Sequence, residues 1–229
     1  MRRFVLGGSE LAGFSIDEPA ASVRLLLPRA DGTLEVPEWT GNQFELADGS
    51  RASIRTFTPR WFESDTLDLA VDIVGHDHGA ASDWAAAASV GDEVAVSGPG
   101  RGYSIDTDAS AYLLAGDETA IPAISQLLEE LPSPIPVRVI VEIVDRSAQL
   151  ELPARGGTVV SWHELPAGTA PGTAMIAALT ELDELPRAVW IAGEAAAIRK
   201  IRTHVFDDRG LPRTAATIRG YWKQGRSAT

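Results

Sequence analysis

Between residues 111 and 223, short apolar runs alternate with runs of helical spacing, and this alternation constrains the fold more than any other feature. The apolar runs are AYLLA, VRVIVEIV, TVVSW, AVWIA and AATIRGYW; the helical ones are IPAISQLLEEL, APGTAMIAAL and AAAIRKIRTHVFDDRG. Continuous apolar strands separated by helices imply a parallel sheet covered on both faces. In the last helical run Ala196, Ile198, Ile201 and Val205 fall on one face, with Arg199, Lys200 and Arg202 outside it.

The first half is written differently. RRFVLGG, SVRLLLP, GNQFELADG, RASIRTFTPRWF, TLDLAVDIVG and GDEVAVSGPG are short, partly alternating runs bounded by Gly, Pro and Asp. About six strands in ~100 residues point to a small antiparallel β-barrel. One segment, GAASDWAAAAS, reads as a helix with Ser82 or Asp83 at its N-cap. The change of pattern near Asp106–Ala109 predicts two domains: an N-terminal antiparallel β-barrel over 1–107 and a C-terminal α/β parallel-sheet domain over 108–229.

Composition removes several classes of function. The 229 residues include no cysteine, which excludes disulfides, thiolate metal sites, iron–sulfur ligation and a cysteine nucleophile. A formal net charge of −12 argues against nucleic-acid binding, which relies on excess Lys and Arg. No apolar run approaches the roughly 18 residues of a membrane span, and Arg2-Arg3 is not followed by a signal-type apolar core. A cytoplasmic protein with no stable membrane insertion is expected.

Ligands of open α/β sheets bind beyond the carboxyl ends of the strands. Two tips here share one pattern, LLAGDETAIPAI and VWIAGEAAAIRKI: strand, Ala-Gly, acid, small residues, helix. Gly116 and Gly193 let the backbone turn tightly, while Thr119 and Ala120 offer a hydroxyl and amides to an anion. Helix capping by Asp117 is the competing reading, and neither tip carries the GxGxxG dinucleotide fingerprint. In the barrel half, RTFTPR places Arg55 and Phe57 on one strand face and Thr56 and Thr58 on the other. The Gly79-Ala80-Ala81-Ser82 turn presents amides at a helix start. His76 and His78 flank Asp77 without an obvious third ligand and read as solvated, so no metal site is expected.

Taken in order, RTFTPR, GHDHGAASDWAAAASVGDEVAVSGPG, LLAGDETAIPAISQLLEELP and VWIAGEAAAIRKIRTHV with the terminal RGYWKQG resemble the siderophore-interacting proteins. These are flavin-dependent ferric-siderophore reductases of the ferredoxin–NADP reductase-like superfamily. The resemblance runs from about Arg3 to Gly225. It implies an FAD-binding barrel followed by a domain that binds NADH or NADPH. Arg55 would meet the FAD pyrophosphate, with Thr56 beside it. Phe57 would lie against the isoalloxazine, and Thr58, the catalytic candidate, would hydrogen-bond near its N5. Asp72, Val74 and His76 would border the flavin. Gly79, Ala80, Ala81, Ser82 and Trp84 would hold the phosphates and neighbouring parts of FAD. Gly116, Asp117, Glu118, Thr119 and Ala120 would border the flavin and the nicotinamide, Gly193 and Glu194 would line the dinucleotide cleft, and Tyr221 and Trp222 would sit near the nicotinamide.

Three features depart from the family's pattern. Phe57 stands where Tyr is usual and Ala80 where Pro is usual. The family's barrel also opens with a segment ahead of MRRFVLGG, which leaves either a start site further downstream or a barrel built differently. The implied reaction passes a nicotinamide hydride to the flavin and then single electrons to Fe(III) in a siderophore, releasing Fe(II). Two alternatives stay open: a flavin reductase of the same fold with another acceptor, and a non-catalytic flavin-binding protein. Arg101, Lys223 and Arg226 are the siderophore-site candidates, and Arg146 is the candidate for a 2′-phosphate. A monomer is expected, with a redox partner protein as a further candidate.

Overall fold

The run RASIRTFTPRWF, continuous by sequence pattern, is two strands in the structure, and the break between them organises the first half of the chain. The computed structural model describes residues 1–29, 31–75 and 79–225. The chain divides into two units, Met1–Gly102 and Tyr103–Gln224.

The first unit contains strands β1 (Arg2–Gly7), β2 (Ser22–Leu26), β3 (Glu38–Trp39), β4 (Phe44–Glu45), β5 (Ile54–Phe57), β6 (Pro59–Glu63), β7 (Asp68–Ile73) and β8 (Ala95–Gly100), with helix α1 (Ala80–Ala87) between β7 and β8. All pairings are antiparallel: one sheet runs β1-β7-β6, a second β5-β2-β8, and β3-β4 form a hairpin. β5 and β6 therefore lie in different sheets, and the chain crosses from one to the other at Thr58. Pro59, which cannot donate to a ladder, opens β6 at that crossing. Val23 and Leu25 of one sheet and Leu69, Val71 and Ile73 of the other belong to one core, on which Phe4, Phe57, Phe62, Ala81 and Trp84 also pack. The segment MRRFVLGG pairs along β7 from Arg2↔Ile73 to Gly7↔Asp68. That register sets Arg3 opposite Asp72, where Nε donates to Oδ1 at 2.7 Å and Nη2 to Oδ2 at 2.8 Å.

The second unit contains β9 (Tyr112–Asp117), α2 (Ile121–Glu130), β10 (Val137–Ile143), β11 (Thr158–Glu164), α3 (Thr173–Thr180), β12 (Val189–Glu194), α4 (Ala195–Arg202) and β13 (Ala216–Trp222). Its sheet is parallel throughout, in the order β11-β10-β9-β12-β13. Every residue of β9 and β12 is buried, so both faces of the sheet's centre are covered. On one face α3 and α4 enclose Leu113, Ile140, Met175, Ile191, Ile198, Ile201 and Val205. α4 continues into one π-type turn, Thr203–Asp208. The Tyr112 hydroxyl donates to the Asp106 carbonyl at 2.9 Å and accepts from the Asp106 amide at 2.7 Å. This tie draws the Asp106 turn into the second unit, so the division falls a few residues before it. Strand order reverses between β9 and β12, which makes their carboxyl ends the switch point where such sheets take ligands. Among the described residues no helix is long and apolar enough to cross a membrane.

Candidate functional site

Three of the parallel strands end in a buried acid: β9 in Asp117, β12 in Glu194, and β10 one residue before its end in Glu142. Each acid is consumed by the protein's own donors. Asp117 Oδ1 accepts from the Thr119 amide at 3.0 Å and the Thr119 hydroxyl at 2.5 Å. Its Oδ2 accepts from the Glu194 amide at 3.0 Å and from Trp222 Nε1 at 2.8 Å. Glu194 caps α4 by accepting from Ala196 at 2.5 Å and Ala197 at 2.9 Å, and its other oxygen takes the Gln224 amide at 3.2 Å. Glu142 caps α3 through the Gly172, Ala174 and Met175 amides at 2.6, 2.8 and 3.0 Å.

The electrostatics of the two neighbouring acids differ. Burial pushes the Asp117 carboxyl above the ordinary range, and its four donors pull it only partly back. At Glu194 burial works in the same direction, but the Ala197, Gln224 and Ala196 amides outweigh it and hold the carboxyl below the ordinary range.

Both predicted glycines answer to close approach. A Cβ on Gly116 would stand 2.3 Å from the Ala120 Cβ and 2.8 Å from the Ala192 carbonyl oxygen; one on Gly193 would stand 2.7 Å from Asp117 Oδ2. Glu118 leaves its own turn and accepts from the Val144 amide at 2.7 Å. Tyr221 packs edge-on to the buried Trp190 at 6.2 Å. The structure thus brings Gly116, Asp117, Glu118, Thr119, Ala120, Gly193, Glu194 and Trp222 together around the β9 and β12 tips, with Tyr221 on the neighbouring strand. It corrects one expectation: both Thr119 donors turn inward to Asp117, because the carboxylate two residues upstream reaches them, and neither is open to an anion. Glu142 was missed by sequence reasoning, although a lone Glu inside the apolar run VRVIVEIV is a readable signal. Arg146, beyond the β10 tip, is largely exposed and pairs with Glu164 at 2.5 Å.

The first unit has a second group of candidates. Arg55 lies opposite Leu25 and Phe57 opposite Val23 on the core side of β2. The half-buried Arg55 guanidinium has its pKa lowered by burial, and its side chain donates to the Ile54 carbonyl at 2.9 Å, with no carboxylate partner among the described residues. Thr56 is exposed and Thr58 buried, so the expected shared face of the two threonines is wrong; alternation ends where the chain changes sheets. Asp72 is engaged by Arg3, and Val74 is buried. His76, with Asp77 and His78, lies outside the described residues, as does Arg226. Helix α1 is capped by Gly79, which has φ 128° and offers no side-chain cap, rather than by Ser82 or Asp83. Ala81 and Trp84 pack on the same core as Phe57, and the buried Trp84 Nε1 has no hydrogen-bond partner among the described residues.

These features fit FAD. The Ala80 and Ala81 amides at a helix start whose N-cap offers no side chain, and a guanidinium without a carboxylate partner among the described residues, suit a pyrophosphate, and a buried indole N–H without a partner among those residues suits a polar group of the same ligand.

The comparisons with known proteins agree on both halves. Residues 1–103 match the siderophore-interacting FAD-binding domain, and residues 109–225 match the siderophore-interacting protein family. An uncharacterised Mycobacterium tuberculosis protein, Rv2895c, is 35% identical over 247 residues, covering 99% of this chain and 86% of that protein. The NADPH-dependent ferric-chelate reductase of Escherichia coli K12 is 29% identical, covering 96% of this chain and 86% of that protein. Among solved structures, a siderophore utilization protein from T. fusca superimposes with a TM-score of 0.85 at 34% identity, covering 99% of this chain and 88% of that one.

Proposed function

The chain belongs to the siderophore-interacting protein family, and from that premise we propose that it is an FAD-dependent reductase that draws electrons from NADH or NADPH and reduces ferric iron held in a siderophore. The observation that carries this reading is a set of donors in the first unit with capacity to spare among the described residues: the Arg55 guanidinium, which has no carboxylate partner, the start of α1, where Gly79 offers no side-chain cap, and the buried Trp84 indole N–H. Bound FAD would supply the conversion of a two-electron hydride donation into the single-electron reductions that Fe(III) requires.

The protein's own residues bind and orient. Arg55 and the α1 amides would neutralise the pyrophosphate. Phe57, fixed against the barrel core, would present an aromatic face to the ring, and Thr58 at the sheet crossing would supply the hydrogen bond at its edge. In the second unit, Gly116 and Gly193 keep the strand tips narrow, and the anchored Trp222 flanks the place where the nicotinamide would be taken. Arg146, whose ion pair with Glu164 is exposed, could leave it for a 2′-phosphate at little cost. That freedom, with the name of the E. coli relative, favours NADPH. No general acid or nucleophile is needed. Hard oxygen ligands hold Fe(II) far less tightly than Fe(III), so reduction alone frees the metal. The same relative's name also supports a wider acceptor range among ferric chelates.

The test is spectroscopic. FAD-loaded protein should be bleached anaerobically by NADPH and recoloured by a ferric siderophore, with Fe(II) trapped by a ferrous chelator. Bleaching without recolouring by any ferric chelate would leave a flavin reductase with another acceptor.

A further inference from the structure

The Asp117 carboxylate does more than cap its own turn, because its Oδ2 joins the ends of two other strands. It receives the backbone N–H of Glu194 at the β12 tip and the indole N–H of Trp222 in β13, at 3.0 and 2.8 Å. The two donors come from strands that pair irregularly here: the β12–β13 register shifts between Gly193 and Glu194, bringing Glu194 opposite Trp222. Gly193 has no room for a side chain because Asp117 Oδ2 occupies that space. Trp222 is half-buried, and this hydrogen bond ties its indole directly to the Asp117 carboxylate.

We infer that Asp117 is a positioning residue for the nicotinamide donor, acting through the Trp222 indole and not by touching the ligand. The inference rests on the reading above, that the donor is taken at this edge of the sheet. Both Asp117 oxygens are saturated by internal donors, so direct ligand binding is closed to it. Its burial makes the geometry sensitive: an amide in its place has one accepting oxygen instead of two, and its NH2 must face N–H groups that already donate. Of the two Oδ2 donors, the Trp222 indole belongs to a side chain that can turn away from an NH2, whereas the Glu194 N–H is fixed in the backbone.

The experiment uses the FAD-loaded protein and a cycle of Asp117→Asn, Trp222→Phe and the double variant. Trp222→Phe keeps a ring at the position and deletes only the donor and one ring of the indole, so folding is retained. The Trp222 indole N–H resonance, assigned by its disappearance in Trp222→Phe, is expected to move upfield and exchange faster with solvent in Asp117→Asn. KM for NADPH is expected to rise about fivefold in each single variant, the scale of one lost hydrogen bond, with kcat changed less. The double variant is expected to be no worse than Asp117→Asn alone. Independent, multiplying losses in the double variant would overturn the inference, as would a wild-type KM in Trp222→Phe or an unmoved indole resonance in Asp117→Asn. A wild-type protein bleached by neither NADPH nor NADH would overturn the donor reading and this inference with it; any of the other three results overturns this inference alone.

Discussion

A Cβ placed on Gly193 would lie 2.7 Å from Asp117 Oδ2, closer than two such atoms can stand. The Asp117 carboxylate thus fills the space beside Gly193 between the β9 and β12 tips, and the glycine has no room for a side chain. Gly193→Ala should destabilise the protein by about 1–3 kcal/mol through overpacking. Gly156→Ala, with nothing within 4 Å of the added carbon, is the matched control and should be close to neutral. Thermal unfolding of the two variants side by side reads the difference; equal midpoints would refute the close-approach account of Gly193.

The paired strands β1 and β7 make a second prediction. Asp72 has a side chain only 7% exposed and takes both Arg3 contacts. Arg3→Ala leaves a buried carboxylate without its counter-charge and should cost about 1–3 kcal/mol. Arg3→Lys should recover only part of that, because an ammonium cannot reproduce the two parallel N–H contacts. Urea midpoints at neutral pH decide it, and an Arg3→Ala midpoint equal to wild type would show the pair to be a solvated contact.

The acids at the strand tips predict opposite pH behaviour. Glu194 is held below the ordinary carboxylate range because its amide donors outweigh burial. Its contribution is therefore fully present above the ordinary value near 4.5 and lost as pH falls through the folded value. Asp117, pushed up by burial, works the other way: its ionised form costs stability, so acidification through the window above the ordinary value favours the fold. Glu194→Gln should flatten the acid-side loss of stability, and Asp117→Asn should remove the opposing gain. Denaturant midpoints measured at neutral pH and in acid below the ordinary carboxylate value test both signs; a Glu194→Gln protein that loses as much in acid as wild type would contradict the first.

Much of the fold could be read from the chain because period and burial agree there. Runs such as AYLLA and AVWIA are buried on both faces in a parallel sheet, so their continuous apolar pattern states their position. RASIRTFTPRWF misled for a physical reason: a barrel corner interrupts a strand without interrupting its pattern, and the buried Thr58 marks the place. The cap of α1 was misplaced because Gly79 caps by backbone conformation and has no side chain to signal it. At the site, residue types and their gathering were legible in LLAGDETA and VWIAGEAA. The direction of Thr119 was not, since an Asp two residues upstream can turn a Thr inward as readily as a ligand can turn it outward. Nor was the tie from Asp117 to Trp222, a contact across more than a hundred residues of chain that only the fold creates.

Phe57 packs on the barrel core and also stands on the face assigned to the flavin. Phe57→Ala should lower the stability of the flavin-free protein by a few kcal/mol, as expected for removing a ring from a core, and loosen FAD as well. Unfolding of flavin-free and FAD-loaded samples separates the effects. Equal losses in both, with unchanged FAD affinity, would make Phe57 a core residue only.

The central claim is the electron path, and the absorbance of the FAD-loaded protein tests it most directly. Flavin retained after gel filtration should fall in Arg55→Ala, whose guanidinium has no carboxylate partner to lose among the described residues. In the wild-type protein, anaerobic addition of NADPH should bleach the oxidised flavin bands, and a stoichiometric ferric siderophore should restore them as Fe(II) appears in the ferrous-chelator assay. Bands that neither NADPH nor NADH bleaches, or a bleached flavin that ferric siderophore leaves colourless, would contradict the account.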